Sequence, residues 1–201
     1  MKKFLFILVM LTLCVQNATF AQSKKMTKAE REAAWRADRM KKRAAERARE
    51  ESEDSLAFVQ AIEAIRSGSW ALEASNITFR NGVTRFVTES TNYISVNNGQ
   101  GVVQTAFNNA NVYSPNGLGG ITLEGTVSGE RMSRDKDGNV YYSYTIQGAN
   151  ISAIVYVTIA ANSNEASARI DPNFSGNTMT MNGYIYPYST AGVFQGTTSF
   201  Y

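Results

Sequence analysis

The sequence contains no histidine, and its single cysteine, Cys14, lies close to the N-terminus. Histidine is the commonest general base and the commonest ligand of transition metals, so chemistry of either kind would need other residues. One cysteine cannot form an intramolecular disulfide or a cysteine-ligated metal centre. From these absences we expect no metal site and no bound cofactor.

The first 21 residues have the pattern of a secretory signal peptide. Lys2 and Lys3 precede an apolar run at positions 4–15, and Ala21 ends a stretch of small residues. The apolar run is shorter than the roughly 20 residues that cross a bilayer. An uncleaved anchor or a lipid on Cys14 are the alternatives, although Leu13 stands where a lipidation signal has a small residue. We therefore expect an exported protein, periplasmic, cell-surface or secreted, with no transmembrane segment after cleavage.

Positive charge is concentrated in one segment. Residues 22–54 hold 11 Lys/Arg and 8 Asp/Glu, whereas residues 55–201 hold 7 and 9. The main part of the chain is therefore slightly acidic, although the overall net charge is +3. Nucleic-acid binding requires a clustered basic surface. We therefore expect no nucleic-acid partner.

Residues 22–54 are predicted to form a charged helical spacer. Residues 27–53 are rich in Ala, Arg, Glu and Lys and contain no Gly or Pro, which favours a helix. Thr27 followed by Glu30 is typical of a capping box. The only large apolar residues are Trp35 and Met40, so no heptad seam is sustained. A solvated helix or partly disordered spacer is expected; a binding or oligomerisation helix is the alternative.

A second, amphipathic helix is predicted at residues 55–66. Leu56, Val59, Ile62 and Ile65 recur at intervals of three, and Phe58 lies four residues before Ile62. Such a stripe packs against a core. Gly68 is suited to a left-handed C-cap. We expect this helix to cover one end of a sheet; binding of a partner is the alternative.

From residue 69 onward the sequence predicts strands. Residues 137–159 are the clearest example, because apolar and polar residues alternate along two runs joined by a short turn. Strands are also expected at 70–79, 83–88, 93–96, 102–107, 121–127, 165–170 and 178–186. Asn-Gly or Asp-Gly turns at 81–82, 98–99 and 137–138 predict hairpins. The alternation slips near Ser75, which indicates a β-bulge.

The short connections predict an antiparallel meander, and eight or nine strands must close or fold over to protect their edges. The fold class expected is all-β with an N-terminal helix, the sheet forming a lipocalin-like up-and-down barrel of about eight strands. A β-sandwich is the alternative, although only the loop at residues 108–117 is long enough for a crossing connection. Residues 55–201 would then form a single β domain.

Three stretches also resemble a known family. SPNGLGGITLEGTVS, DKDGNVYYSYTIQGANISAIVYVTI and DPNFSGNTMTMNG are similar to family 4251 of the domains of unknown function, which are secreted proteins of Bacteroidetes. The resemblance extends over about residues 55–201. It implies an all-β fold, one domain per chain and export, and it carries no catalytic role.

Catalytic chemistry would have to come from carboxylates, tyrosine, serine or lysine. A glycosidase needs two carboxylates about 5–10 Å apart, and no spacing in the sequence points to such a pair. Residues 135–139 superficially resemble a calcium loop, but Gly138 comes too early, so a charged hairpin turn is the better interpretation. We therefore expect a protein that is not an enzyme and has no catalytic residues.

Two sets of residues are candidates for binding. If the barrel has an open lumen, the alternation predicts that an apolar ligand is lined by Tyr142, Tyr144, Val155, Val157, Met179 and Met181. Small inward residues at Ala166, Ala168 and Gly183 would leave room for it. On the outside, a surface for interaction is predicted at Tyr141, Tyr156, Tyr184 and Tyr186. Simple cross-strand pairing of these tyrosines is the alternative.

Two functions follow from these candidates. The first is an exported, non-enzymatic envelope or interaction protein of a Gram-negative bacterium, whose partner is an envelope protein. The second is a barrel module that binds a small apolar ligand.

Overall fold

The computed structural model describes residues 26–107, 116–149, 152–173 and 176–196. The predicted signal peptide, most of the predicted loop at 108–117 and the last residues of the chain lie outside this part. The chain divides into two compact units, residues 1–47 and 48–201.

One α-helix, α1 (Lys28–Arg66), runs unbroken through residue 54, the predicted end of the spacer. Its start confirms the predicted capping box: the Thr27 amide donates to the Glu30 carboxylate at 2.7 Å, and the Glu30 amide donates to Thr27 Oγ1 at 3.2 Å. Hydrogen bonding to the Glu30 carboxylate by the Thr27 backbone, and then by its side chain, lowers the pKa of Glu30.

In the first unit, the helix is exposed to solvent and carries many charged side chains. Lys42 pairs with Asp38 one turn away at 3.0 Å. The Arg39 guanidinium lies 5.1 Å from the centre of the exposed Trp35 ring. Among the described residues, no helix is both long and apolar enough to cross a membrane.

In the second unit, the C-terminal part of α1 packs into the core through a stripe at i, i+3, i+4 and i+7. The buried residues are Phe58, Ala61, Ile62, Ala64 and Ile65. Leu56 and Val59, predicted to share this stripe, are instead 64% and 55% exposed, because they lie on another side of the helix. The helix ends at Arg66, and Gly68 has the predicted left-handed conformation, with φ +65°.

Nine strands follow in the described ranges: β1 (Ser69–Phe79), β2 (Thr84–Phe86), β3 (Tyr93–Asn97), β4 (Gln100–Gln104), β5 (Thr122–Arg134), β6 (Val140–Gln147), β7 (Ser152–Ile159), β8 (Glu165–Pro172) and β9 (Met179–Pro187). All pairs are antiparallel, and β9 pairs with β1 from Trp70 to Phe79. The eight strands other than β2 therefore form a closed ring in chain order. This closure confirms the predicted barrel and excludes the alternative fold, a β-sandwich.

Turn residues and bulges fix the register of the ring; one register shift lies on β5, between Ser128 and Arg131. Asn98 and Gly99 have φ of +51° and +75°, as a tight hairpin turn requires. The pairing of β1 with β9 shifts between Ala74 and Asn76, which confirms the predicted bulge near Ser75.

Strand β2 departs from the predicted meander. It pairs with the second half of β1 at residues 76–78, whereas β3 pairs with the first half at residues 69–73. The two strands therefore follow one another along the same side of β1, and β2 is left outside the ring. The Asn81-Gly82 turn predicts the hairpin correctly but not the partner of the strand that follows.

Candidate functional site

The barrel interior is filled by side chains. Twelve residues of the core cluster have no surface within reach of a water-sized sphere: Ala61, Trp70, Leu72, Ala74, Ile77, Ile94, Ile146, Ala153, Val155, Ile159, Ala168 and Met181. Phe58 and Ile62 of α1 belong to the same cluster. A cavity large enough for a ligand would expose the atoms that line it, so these residues do not border such a space.

Most of the predicted lining residues belong to this cluster. Tyr142 pairs with Val157, and Tyr144 with Val155, across β6 and β7. These four side chains and Met181 are at most 4% exposed. Met179 is the exception, because it is only partly buried at the start of β9.

Trp70 organises the aromatic part of the interior. Its ring meets Tyr142 edge-on, with centroids 5.9 Å apart, and Tyr144 at 6.1 Å. The Tyr142 hydroxyl donates to Glu130 on β5. Burial, and then this hydrogen bond, raise the pKa of Tyr142 above its ordinary range.

In the part of the chain that the structure describes, two buried side-chain atoms inside the barrel have no hydrogen-bond partner: Trp70 Nε1 and the Tyr144 hydroxyl. Burial raises the pKa of Tyr144 well above its ordinary value. A buried group without a partner costs about 1–3 kcal/mol. These atoms therefore weigh against stability.

Gly183 does not leave room for a ligand, contrary to the prediction from its size. A Cβ at this position would lie 1.9 Å from the carbonyl oxygen of Glu73 on β1. Gly183 pairs with Ala74 beside the bulge, where β9 comes unusually close to β1. The space that a side chain would take is occupied by backbone.

The barrel end away from α1 has a less tightly packed apolar rim. Phe79 and Phe107 lie 5.7 Å apart there and are partly buried. A cavity of about 590 Å³ is lined by Phe79, Arg80, Asn81, Asn177, Thr178 and Met179. Of the predicted lining residues, only Met179 contacts this cavity.

The outer tyrosines fall into two places on the barrel. Tyr141 and Tyr156 line a groove of about 360 Å³ over β5, β6 and β7, together with Arg131 and Met132. Tyr184 and Tyr186 lie on β9, opposite Glu73 and Ala71 of β1. Strand β8 separates the two places. The four tyrosines, each about 40% exposed, therefore do not form one patch.

The groove, which we call the tyrosine groove, has one ring held in position. The Tyr141 hydroxyl donates to Asp135 Oδ2 at 3.0 Å. This hydrogen bond is the main cause that raises the pKa of Tyr141. Arg169 lies opposite Tyr156 on β8 and is exposed.

Asp135 organises the hairpin turn that borders the groove. Its carboxylate accepts from the amides of Asp137 and Asn139 at 3.0 and 2.9 Å and from the Asn139 side chain at 2.9 Å. Hydrogen bonding by the Asn139 side chain is the main cause that lowers the pKa of Asp135. The Asp135 carboxylate therefore stabilises the hairpin turn, in agreement with the interpretation of residues 135–139 as a charged turn. Within the described ranges, no group of three or more His, Cys, Asp or Glu side chains could hold a metal ion.

Sequence reasoning missed Arg131 and Met132 as groove residues. The alternation predicts a strand at residues 121–127, whereas β5 continues to Arg134 and pairs with β6 as far as Val140. The Asp137-Gly138 turn was the available signal, because a tight hairpin turn extends both of its strands equally.

Comparisons with known proteins agree with this fold. The family model described as Domain of unknown function (DUF4251) matches residues 52–185. The crystal structure of a DUF4251 family protein from Bacteroides eggerthii DSM 20697 has 42% sequence identity and a TM-score of 0.61, covering 70% of this chain and 94% of that chain. No curated protein matches. The chain therefore belongs to the DUF4251 family.

Proposed function

We propose that this protein is an exported, non-enzymatic interaction protein of a Gram-negative envelope. Its barrel is a filled scaffold, and the tyrosine groove contacts another envelope protein. The observation that carries this proposal is the contrast between a close-packed interior and a groove with exposed aromatic side chains.

The composition of the groove supports a protein partner. Tyrosine, arginine and methionine are enriched in protein interfaces, and the groove combines Tyr141, Tyr156, Arg131 and Met132. The hydrogen bond to Asp135 already fixes the Tyr141 hydroxyl. Such a ring loses little conformational entropy when a partner binds, which favours affinity.

Export is supported by the N-terminal pattern of Lys2, Lys3 and an apolar run. The absence of catalysis is supported by the way the carboxylates are used. Asp135 holds a turn, Glu130 accepts from Tyr142, and Glu73 accepts from the Gly192 amide at 2.6 Å. Each of these hydrogen bonds serves the fold.

An apolar ligand inside the barrel is the alternative function. It would require the space that Trp70, Tyr144 and Met181 occupy. The cavity beside Phe79 and Met179 is the part of the described structure that could accept an apolar group, and it lies at the barrel end.

Photo-crosslinking in the host tests the proposal. A benzophenone amino acid replaces Tyr156 in one strain. As the control, it replaces the exposed Thr190 in another strain. Cell fractionation and N-terminal sequencing measure export and the cleavage site. We expect the protein outside the cytoplasm, starting after residue 21, with a discrete protein adduct from position 156 only. Arg131→Ala should weaken that adduct.

A protein retained in the cytoplasm would contradict the export part of the proposal. Equal labelling from positions 156 and 190, or none from either, would contradict the role of the groove. An adduct with a glycan in place of a protein would also overturn the proposed partner.

A further inference from the structure

We propose that the free edge of β2 binds an extended peptide segment of another protein as an added antiparallel strand, with an acidic residue opposite Arg85. This site uses different residues from the tyrosine groove, so either proposal can fail alone.

The backbone of β2 presents a set of hydrogen-bonding groups that point away from β1. Val83 accepts from the Phe79 amide at 2.9 Å, and the Val87 amide donates to Ser75 at 3.0 Å. Backbone groups alternate in direction along a strand, so those of Val83, Arg85 and Val87 face β1. The N–H and C=O groups of Thr84 and Phe86 therefore face outward, and they have no partner among the described residues. A peptide in extended conformation is the ligand that matches two donors and two acceptors in this arrangement.

The side chains around this edge are accessible. All three residues of β2 are exposed, and Phe86 is 88% exposed, the largest value among the large hydrophobic residues described. A groove of about 510 Å³ adjoins the strand, with Arg85, Phe86 and Val87 on one side and Thr88, Thr91, Ala106 and Phe107 completing it. The edge therefore combines unpaired backbone groups, an exposed aromatic ring and space for side chains.

A second copy of this chain is a poor occupant. Two β2 strands could pair through the outward N–H and C=O groups of Thr84 and Phe86. Thr84 would then pair with Phe86 of the other copy, and the two Arg85 residues would lie directly opposite each other. Directly opposed residues of this kind have Cα atoms about 4.5 Å apart, where like charges repel. Arg85 thus disfavours self-pairing and favours Asp or Glu at the same position of a different strand.

The register defines the rest of the preferred segment. The residues on either side of the acidic one lie opposite Thr84 and Phe86, on the same outer face of the added strand. β-Branched residues at those positions would pack against Phe86 and fit the strand conformation. The preferred core is therefore a β-branched residue, then Asp or Glu, then another β-branched residue.

The test uses fluorescence anisotropy with the mature full-length protein and a labelled Val-Thr-Val-Glu-Val-Thr-Val probe. One control probe carries Lys in place of Glu. A second is N-methylated at the two valines that flank Glu, which removes the donors facing β2 and leaves the side chains unchanged. We expect about fivefold weaker binding of the Lys probe and about tenfold weaker binding of the methylated probe.

Three protein variants complete the test. Thr84→Pro removes an outward N–H that does not pair with β1, and Thr84→Ala is the matched control that keeps it. Arg85→Glu should reverse the preference between the Glu and Lys probes. Failure of the Glu probe to bind, equal binding of the methylated probe, or an unchanged preference in Arg85→Glu would each overturn the proposal.

Discussion

The side-chain amide of Gln104 donates to the backbone carbonyl of Phe194 at 2.7 Å and so ties β4 to a segment 90 residues later in the chain. Gln104 is completely buried and makes three further hydrogen bonds: to Thr91, from Thr122 and from the Gly196 amide. The segment at residues 188–196, which we call the C-terminal strap, begins with a bond from the Tyr188 amide to Ser69 on β1.

The strap lies against the outer face of the sheet at Gln104 of β4. Tyr93 lies opposite Gln104 on the outer face and is 1% exposed. Burial raises the pKa of Tyr93 above its ordinary range, and Tyr188 adds to the effect. The family match ends at residue 185, so the strap lies beyond the matched residues.

Gln104→Leu should destabilise the protein by about 2–4 kcal/mol, because it deletes four hydrogen bonds of a buried amide and leaves part-buried backbone groups of the strap and of residue 91 without this partner. Urea unfolding measures the change, and hydrogen exchange should show faster exchange of the Gly196 amide. Gln195→Leu is the control, because Gln195 is exposed and should change stability by less than about 0.5 kcal/mol. Equal effects of the two variants would contradict the anchoring role of Gln104.

Tyr144→Phe should increase the free energy of unfolding by about 1 kcal/mol, because it removes a buried hydroxyl that has no partner and keeps the ring. Tyr142→Phe is the matched control and should decrease it by about 1 kcal/mol, since it deletes the hydrogen bond to Glu130. Thermal and urea unfolding measure both. A loss of stability in Tyr144→Phe would show that this hydroxyl has a partner.

Gly183→Ala should cost more than about 3 kcal/mol or prevent folding, because the added methyl group collides with the backbone of Glu73. Gly192→Ala is the control, since its nearest contact would be Glu73 Oε1 at an ordinary 3.8 Å. Expression level and circular dichroism suffice to compare them. A stable Gly183→Ala barrel would mean that β9 does not approach β1 so closely.

Acid should remove the contribution of Asp135 to stability. Its pKa is lower in the folded protein than the ordinary 3.8. The contribution is therefore fully present above about pH 4 and is lost as the pH falls through the lower, folded value. The difference in melting temperature between the native protein and Asp135→Asn should shrink between pH 6 and pH 2.5. A difference that stays constant would show that the carboxylate charge is not what holds the turn.

The features that follow from local chemistry could be predicted from the sequence. Strict alternation at residues 140–147 separates buried Tyr142 from exposed Tyr141, because the faces of a strand alternate with every residue. The turn at Asn98-Gly99 and the bulge near Ser75 are also local features, and both occur where predicted.

The features that were missed depend on residues distant in the chain. The pairing of β3 with the first half of β1, next to β2 on the second half, depends on how the ring closes. The small size of Gly183 suggests free space, but the approach of β1 decides its environment. The choice of Phe58 over Leu56 for the core depends on where the helix meets the barrel. For the candidate site, alternation places Tyr141 and Tyr156 outside, but it does not show that Tyr184 and Tyr186 lie elsewhere.

Native mass spectrometry of the protein purified from its host tests the filled barrel most directly. We expect the mass of the polypeptide alone, because the side chains around Trp70 leave no surface for a ligand to contact. A lipid or other apolar molecule that co-purifies in a one-to-one ratio and survives desalting would contradict it.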